Sequence, residues 1–143
     1  MPNALADAGR EGFLAGEIDW DTATIKASLV RGYTPNLATH RFISDVTVTG
    51  TLVATTAALT TKTIAAGVAD AADTTFGPVA TGAACNHIIV YQSSAVAGGA
   101  DVAATAQRLI AVIDTATNLP ITPNGGELPL VWSNVAGTLI FKL

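Results

Sequence analysis

Apolar and polar residues alternate in short runs along most of the chain. Residues 24–30 are the clearest case: Ile25, Ala27 and Leu29 fall on one side, Lys26, Ser28 and Val30 on the other. Strand side chains point alternately to opposite faces, so this period of two predicts a half-buried strand. Residues 108–114 repeat the pattern, with Leu109, Ala111 and Ile113 on one face. Residues 86–92 differ, because Ile88, Ile89, Val90 and Tyr91 follow one another without a polar break. A short continuous run of that kind suits a strand covered on both faces. Residues 46–66 are Thr-rich and β-branched, which predicts two short strands with a turn near residues 55–58. Residues 74–79 predict another strand, closed by Gly77-Pro78. A Gly/Ala-rich stretch, 93–105, reads as loop.

The C-terminal stretch, 119–143, reads as two strands separated by a turn, and as the hairpin the rest of the chain packs against. Asn124-Gly125-Gly126 is a turn signal, since Gly and Asn tolerate positive φ. Leu128, Leu130 and Trp132 then share one strand face, and Pro129, with no N–H to give, marks an edge or bulge. Ser133-Asn134 with Ala136-Gly137 predicts a second turn. Thr138–Leu143 alternates again, placing Leu139, Phe141 and Leu143 opposite Ile140. Helical signals are few. Residues 3–15 share a broad apolar face and stop at Gly16, a natural C′ residue. Gly9 and Gly12 weaken that helix by up to about 1 kcal/mol each relative to Ala. Residues 37–45 predict one short helical turn. The sum is an all-β chain: an antiparallel β-sandwich, with a jelly roll as one topology, and a short N-terminal helix. The expected organisation is an N-terminal helical segment, 1–16, on a single β-sandwich domain, 17–143.

Composition sharpens this picture. Half of the 143 residues are hydrophobic, mostly Ala and Val, and only 13% are charged. A quarter is usual for soluble domains, so the surface is poor in charge and suits contact with copies or partners. The net charge is −4 and the seven basic residues are scattered singly, which argues against direct nucleic-acid binding. The single Cys85 excludes an intrachain disulfide framework and reads as a small buried hydrophobe. Asp7, Arg10 and Glu11 interrupt the N-terminus, so no signal-peptide core is expected there. No run approaches the roughly 18 apolar residues of a membrane span, so a cytoplasmic site of synthesis and no membrane partner are expected.

Candidate chemistry is sparse. His40 and His87 are the only histidines, far apart and without neighbouring ligands at metal spacing, so no metal is expected. Glu17, Asp19 and Asp21 alternate, but they lack the glycine and distal glutamate of a calcium loop and read as a solvated connector. Cys85-Asn86-His87 sets thiol and imidazole too close in sequence to imply a catalytic dyad, and no GxSxG elbow is present. Gly98-Gly99 and Gly125-Gly126 open no strand-to-helix turn with a lysine, so no phosphate loop is indicated. Trp20, Tyr33, Tyr91 and Trp132 are the residues from which a sugar platform would be built, but they read as buried. No enzyme, cofactor or catalytic residue is expected.

The segments GREGFLAGEIDWDTATIKASLV, YTPNLATHRFISDV, KTIAAGVADAADTTF and RLIAVIDTATNLPITPNGGELPLVWSN…IFKL resemble small virion-associated proteins of tailed bacteriophages. The likeness runs from Gly9 to Leu143, apart from the loop at 93–105. It rests on segment order and wording, not on a catalytic motif. It implies a virion structural role, a capsid decoration or cement protein on the outside of the head, assembled in the host cytoplasm. The major capsid protein and copies of the chain itself, with a trimer as the first form, are the implied partners. A tail, baseplate or host-receptor-binding module is the alternative. No functional residues transfer by position.

Overall fold

The 11-residue strand β7 (His87–Ala97) organises the molecule, rather than the C-terminal hairpin. The computed structural model describes residues 3–134 and 140–143. Strand β7 pairs antiparallel with β2 (Ala23–Arg31) on one side and with β8 (Arg108–Ile113) on the other. Strands β1 (Ala4–Leu5) and β3 (Thr51–Thr55) complete a sheet of order β1-β8-β7-β2-β3. The unbroken apolar run predicted a strand covered on both faces, and Ile88 through Ser94 are all buried.

The strand also continues through Ala97, taking the first part of the stretch expected to be loop. Its buried polar residues allow this because each finds partners. Gln92 accepts from the Asp19 N–H at 2.9 Å and donates to the carbonyls of Glu17 and Ser94. The Ser94 hydroxyl accepts from the Thr24 N–H and donates to the Val96 carbonyl. Paired in this way, these groups avoid the cost of desolvation without a partner.

The two faces of the sheet carry two cores. On one face Ile25, Ala27, Leu29, Ile88 and Val90 pack against a second layer that supplies Leu59, Phe76, Val79, Leu130 and Trp132. That layer holds two small antiparallel sheets. One has the order β10-β5-β4, from β4 (Thr63–Ala65), β5 (Val68–Asp70) and β10 (Phe141–Lys142); the other pairs β6 (Thr74–Phe76) with β9 (Leu128–Leu130). On the opposite face Val30, Ile89, Tyr91, Leu109 and Val112 pack against Tyr33 and against Ile43 and Val46 of helix α2 (Ile43–Thr49). The fold is therefore an all-β antiparallel sandwich with two short helices. Among the described residues the strands divide five, three and two, a different distribution from the paired sheets of a jelly roll.

Several sequence expectations shift in detail, each for a local physical reason. The first helix, α1, spans Asp7–Leu14, not residues 3–15, because Ala4 and Leu5 pair with Val112 and Ala111 of β8. Asn3 fixes that pairing: its side chain accepts the N–H groups of Asp114 and Thr115 and donates to the Thr115 carbonyl. The alternation expected in β8 breaks at Ile110. The register slips there, so Ile110 and Ala111 face one core while Leu109 and Val112 face the other. A bulge inserts one residue and flips the phase of everything before it.

Val46 and Val48, expected in a strand, lie in α2. The Asp45 carboxylate accepts the N–H groups of Arg41 and Phe42 at 2.7 and 2.9 Å, half of a capping box. With Ile43 and Val46 buried three residues apart, tertiary packing overrides their β propensity.

The expected C-terminal hairpin is not a hairpin: β9 pairs with β6, and β10 pairs with β5. Residues 128–130 pair instead with 74–76, far away in the sequence, and this long-range contact is not written in the local pattern of either segment. Part of the expected turn, and of the expected strand 138–143, falls at 135–139, outside the described residues.

Candidate interaction site

Three segments distant in sequence build one apolar concavity. Strand β10 places Phe141 edge-on against Trp20, ring centroids 5.0 Å apart, and tilted against Phe13 of α1 at 5.7 Å. Trp20 is buried, and its indole N–H donates to the Asp70 carbonyl at 3.3 Å. The β4–β5 connection is a two-residue turn, Ala66-Gly67, with φ of 53° and 77°. Positive φ at both central residues marks the hairpin turn whose twist suits paired strands. The Leu143 N–H donates to the Gly67 carbonyl at 3.0 Å, which pins the chain end at this turn.

The result is a cavity of about 370 Å³. Phe13, Ile18, Trp20, Val68 and Phe141 line it, and Ile64 and Leu143 stand at its rim with 62% and 59% of their surfaces exposed. Leu14, beside Phe13 on α1, is 91% exposed. Exposed large apolar side chains around an apolar hollow are the signature of an interaction surface. A second cavity, of about 400 Å³, lies under β6 and β9 and is lined by Leu29, Phe76, Ile88, Leu119, Leu128 and Leu130.

The two histidines, separate in sequence, meet on either side of one tyrosine. The Tyr33 hydroxyl and His40 Nδ1 are 2.7 Å apart, and the Tyr33 ring meets His87 edge-on at 5.5 Å. The Asn36 N–H also points at His40 Nδ1, at 3.3 Å, so that nitrogen accepts. Burial, helped by the Asp45 charge, raises the Tyr33 phenol to about 12. Burial lowers His87, against the pull of Asp114. His87 Nδ1 is buried with no hydrogen-bond partner among the described residues. The register of β2 on β7, with Val30 opposite His87, assembles this cluster, and no spacing in the sequence announces it. It reads as packing, because Tyr33 and the strand beneath it are core.

The remaining candidates are used locally. Glu17 pairs with Arg108 at 2.8 Å. Asp19 accepts from the N–H and hydroxyl of Thr22, and those bonds hold its carboxyl below the usual range. Lys62 donates to the Ala23 carbonyl; burial lowers its pKa, and the charges of Asp21 and Asp19 oppose that. Glu17 and Asp19 thus each hold a local structural partner, and Asp19 and Asp21 both bear on Lys62. Cys85 is fully buried and burial pushes its thiol up, with the Arg31 guanidinium pulling the other way. Trp20, Tyr33, Tyr91 and Trp132 are all buried, so they form no exposed platform. Among the described residues, no group of three or more His, Cys, Asp and Glu side chains is placed to hold a metal, and no helix is long and apolar enough to cross a membrane.

Among the described residues, the hollow of α1, β4, β5 and β10 offers apolar contact area. The sequence pattern marked the N-terminal helix and the apolar segment 138–143 as separate elements. It missed that Ile64 and Trp20 join them, for which the only signal was an apolar residue in a β-branched run. No family model and no curated protein matches the chain.

Proposed function

We propose that this protein is a structural component of a tailed-phage virion, a decoration or cement protein that binds the outside of the head. The observation that carries the reading is the apolar hollow shared by α1, β4 and β10, with Ile64 and Leu143 exposed at its rim and Leu14 exposed next to its lining residue Phe13 on α1. A cement protein works by covering surface at the joints between capsomers. Many modest contacts, repeated over many copies, then resist the pressure of packaged DNA without any chemistry. The low charge supports this, as does the likeness of the sequence segments to virion-associated proteins. The partner at the hollow is the major capsid protein, with further copies of the chain around it.

The tail or receptor-binding alternative draws on an exposed aromatic or polar groove, and the aromatic form of it is disfavoured because Trp20, Tyr33, Tyr91 and Trp132 are buried. The N-terminal segment is not a detachable anchor, since β1 lies in the main sheet and α1 packs on β8. Point changes therefore test the surface better than truncation. Leu14→Glu with Ile64→Glu leaves the buried core alone and is expected to strip the protein from purified heads while its thermal midpoint stays put. Immunogold labelling is expected on the head. Label confined to the tail, or full head occupancy by the double variant, overturns the reading.

A further inference from the structure

The hollow beside α1 offers more than apolar surface. The chain has two Trp, two Tyr and four Phe, and three of these, Phe13, Trp20 and Phe141, line it. Trp20, buried, is its floor, and Phe13 and Phe141, half-buried, are its walls. Phe141 is inclined at 87° to Trp20 and at 43° to Phe13. The face of an aromatic ring is negative and its edge positive. Rings inclined to one another around one space are therefore the arrangement that holds an organic cation. A carboxylate stands with them. Asp19 lines the same hollow and is exposed, and the bonds from Thr22 hold its carboxyl below the usual range, so it is charged at neutral pH. Thr22 takes one acceptor position on each oxygen, and a carboxylate has about four in all. The lysines nearby are placed elsewhere. Lys62 donates to the Ala23 carbonyl, and Lys142 is exposed and alternates to the side of β10 opposite Phe141.

We infer that this hollow takes an arginine side chain of the capsid partner, its guanidinium among the three rings and forked onto Asp19, its aliphatic stem against Ile64 and Leu143. The inference rests on the assignment of the hollow to the capsid contact, and it names the chemistry that fills the space. Guanidinium suits the place better than ammonium, because it is planar, more weakly hydrated and stacks on aromatic rings. The methylene stem of an arginine covers the apolar rim while its charged head reaches the carboxylate. The net charge of −4 draws a basic surface towards this one. The second cavity, under β6 and β9, makes no such selection, since it has one ring, Phe76, and no charged side chain.

Ethylguanidinium chloride stands for the arginine tip in a titration of the full chain, followed by amide and indole NMR shifts. Signals of Phe13, Asp19, Trp20 and Phe141 should move together and saturate, while matched sodium chloride leaves them in place. Ethylurea, similar in shape but neutral, should bind about tenfold more weakly, and methylammonium chloride should also be weaker. Asp19→Asn should weaken ethylguanidinium by up to about fivefold and leave ethylurea as it was. Phe13→Leu keeps the apolar bulk without the ring and should cost about threefold. Ethylurea binding as well as ethylguanidinium, tighter binding of methylammonium, shifts that never saturate, or an Asp19→Asn protein equal to wild type overturns the inference. If Phe13→Leu fails to fold, the ligand series and Asp19→Asn decide. Head attachment is read separately. Loss of Leu14→Glu with Ile64→Glu from heads, alongside a wild type indifferent to ethylguanidinium, overturns this inference and leaves the capsid reading. Saturable binding with label confined to the tail overturns the capsid reading and leaves the cation site.

Discussion

Gly9→Ala sets two physical effects against each other, and the structure decides the sign. Gly9 lies inside α1, where Ala is the better helix former by up to about 1 kcal/mol. On propensity alone the substitution stabilises. But a Cβ built at Gly9 comes 2.7 Å from the Ile110 carbonyl oxygen, 3.1 Å from Ile110 Cα and 3.2 Å from the Leu109 carbonyl oxygen. These are backbone atoms of β8, and Ile110 is fully buried at the bulge. They do not yield as a side-chain tip would, so α1 must lift and Phe13 must move against Phe141. Overpacking of this kind costs roughly 1–3 kcal/mol. Set against the propensity gain, the net expectation is a loss of about 1 kcal/mol.

In urea, with a slope of about 1–3 kcal/mol/M, the midpoint should fall by about 0.5–1 M at unchanged slope. Gly12→Ala is the contrasting case, since its Cβ meets Ile18 Cδ1 at 2.6 Å, the end of a flexible side chain. Combining it with Ile18→Val should therefore cost less than the two changes summed, whereas Gly9→Ala with Ile18→Val should simply add. A Gly9→Ala protein as stable as wild type, or more so, refutes the close packing of α1 on β8.

Trp132→Ala should cost about 3–5 kcal/mol by thermal or urea unfolding, because the ring is 95% buried among Leu130, Phe76 and their neighbours; a loss under about 1 kcal/mol would place it outside the core. Asp45→Ala should cost about 1 kcal/mol through the lost N-terminal cap of α2, read as a lower midpoint. Burial works to raise Asp45, but the N–H bonds from Arg41 and Phe42 outweigh it and leave its pKa below 3.8. Its contribution is therefore present above that value and is lost as pH falls through the depressed folded value, so wild type and variant should converge in acid. His87, its pKa lowered by burial against the pull of Asp114, binds its proton more weakly folded than unfolded. Wild-type stability should decline as pH drops below about 6.5, and His87→Gln should flatten that decline; identical slopes would contradict it. Tyr33 acts at the other end: its phenol is raised from 10.0 to about 12, so stability should fall as pH climbs across that window, and Tyr33→Phe should remove the fall.

The strands at the heart of the fold were legible in the sequence, because their signal is local. Ile25, Ala27 and Leu29 mark a period of two, and Ile88 through Tyr91 mark a strand covered on both faces, without reference to anything distant. The burial of Trp20, Trp132 and Cys85 was legible too, from residue type and neighbours. Charge poverty pointed to contacts before any surface was seen.

What the sequence left undetermined was pairing, and pairing is a property of the whole chain. Whether residues 128–130 join 138–143 or 74–76 depends on which edge is vacant once the larger sheet has formed. The bulge at Ile110 changes which side chains of β8 face which core, and it shows only in the register of β8 on β7. Val46 and Val48 carry strand propensity and become helical because the Asp45 carboxylate and the burial of Ile43 outweigh it. Gly9 and Gly12 read as weaknesses in a helix, and the structure makes them its closest approaches to β8 and Ile18. The hollow of Phe13, Trp20, Ile64 and Phe141 and the Tyr33–His40–His87 cluster both join residues far apart along the chain. Residue type and period fix which segments extend and which faces are apolar; only the long-range contacts decide which of those faces and edges are left open to a partner.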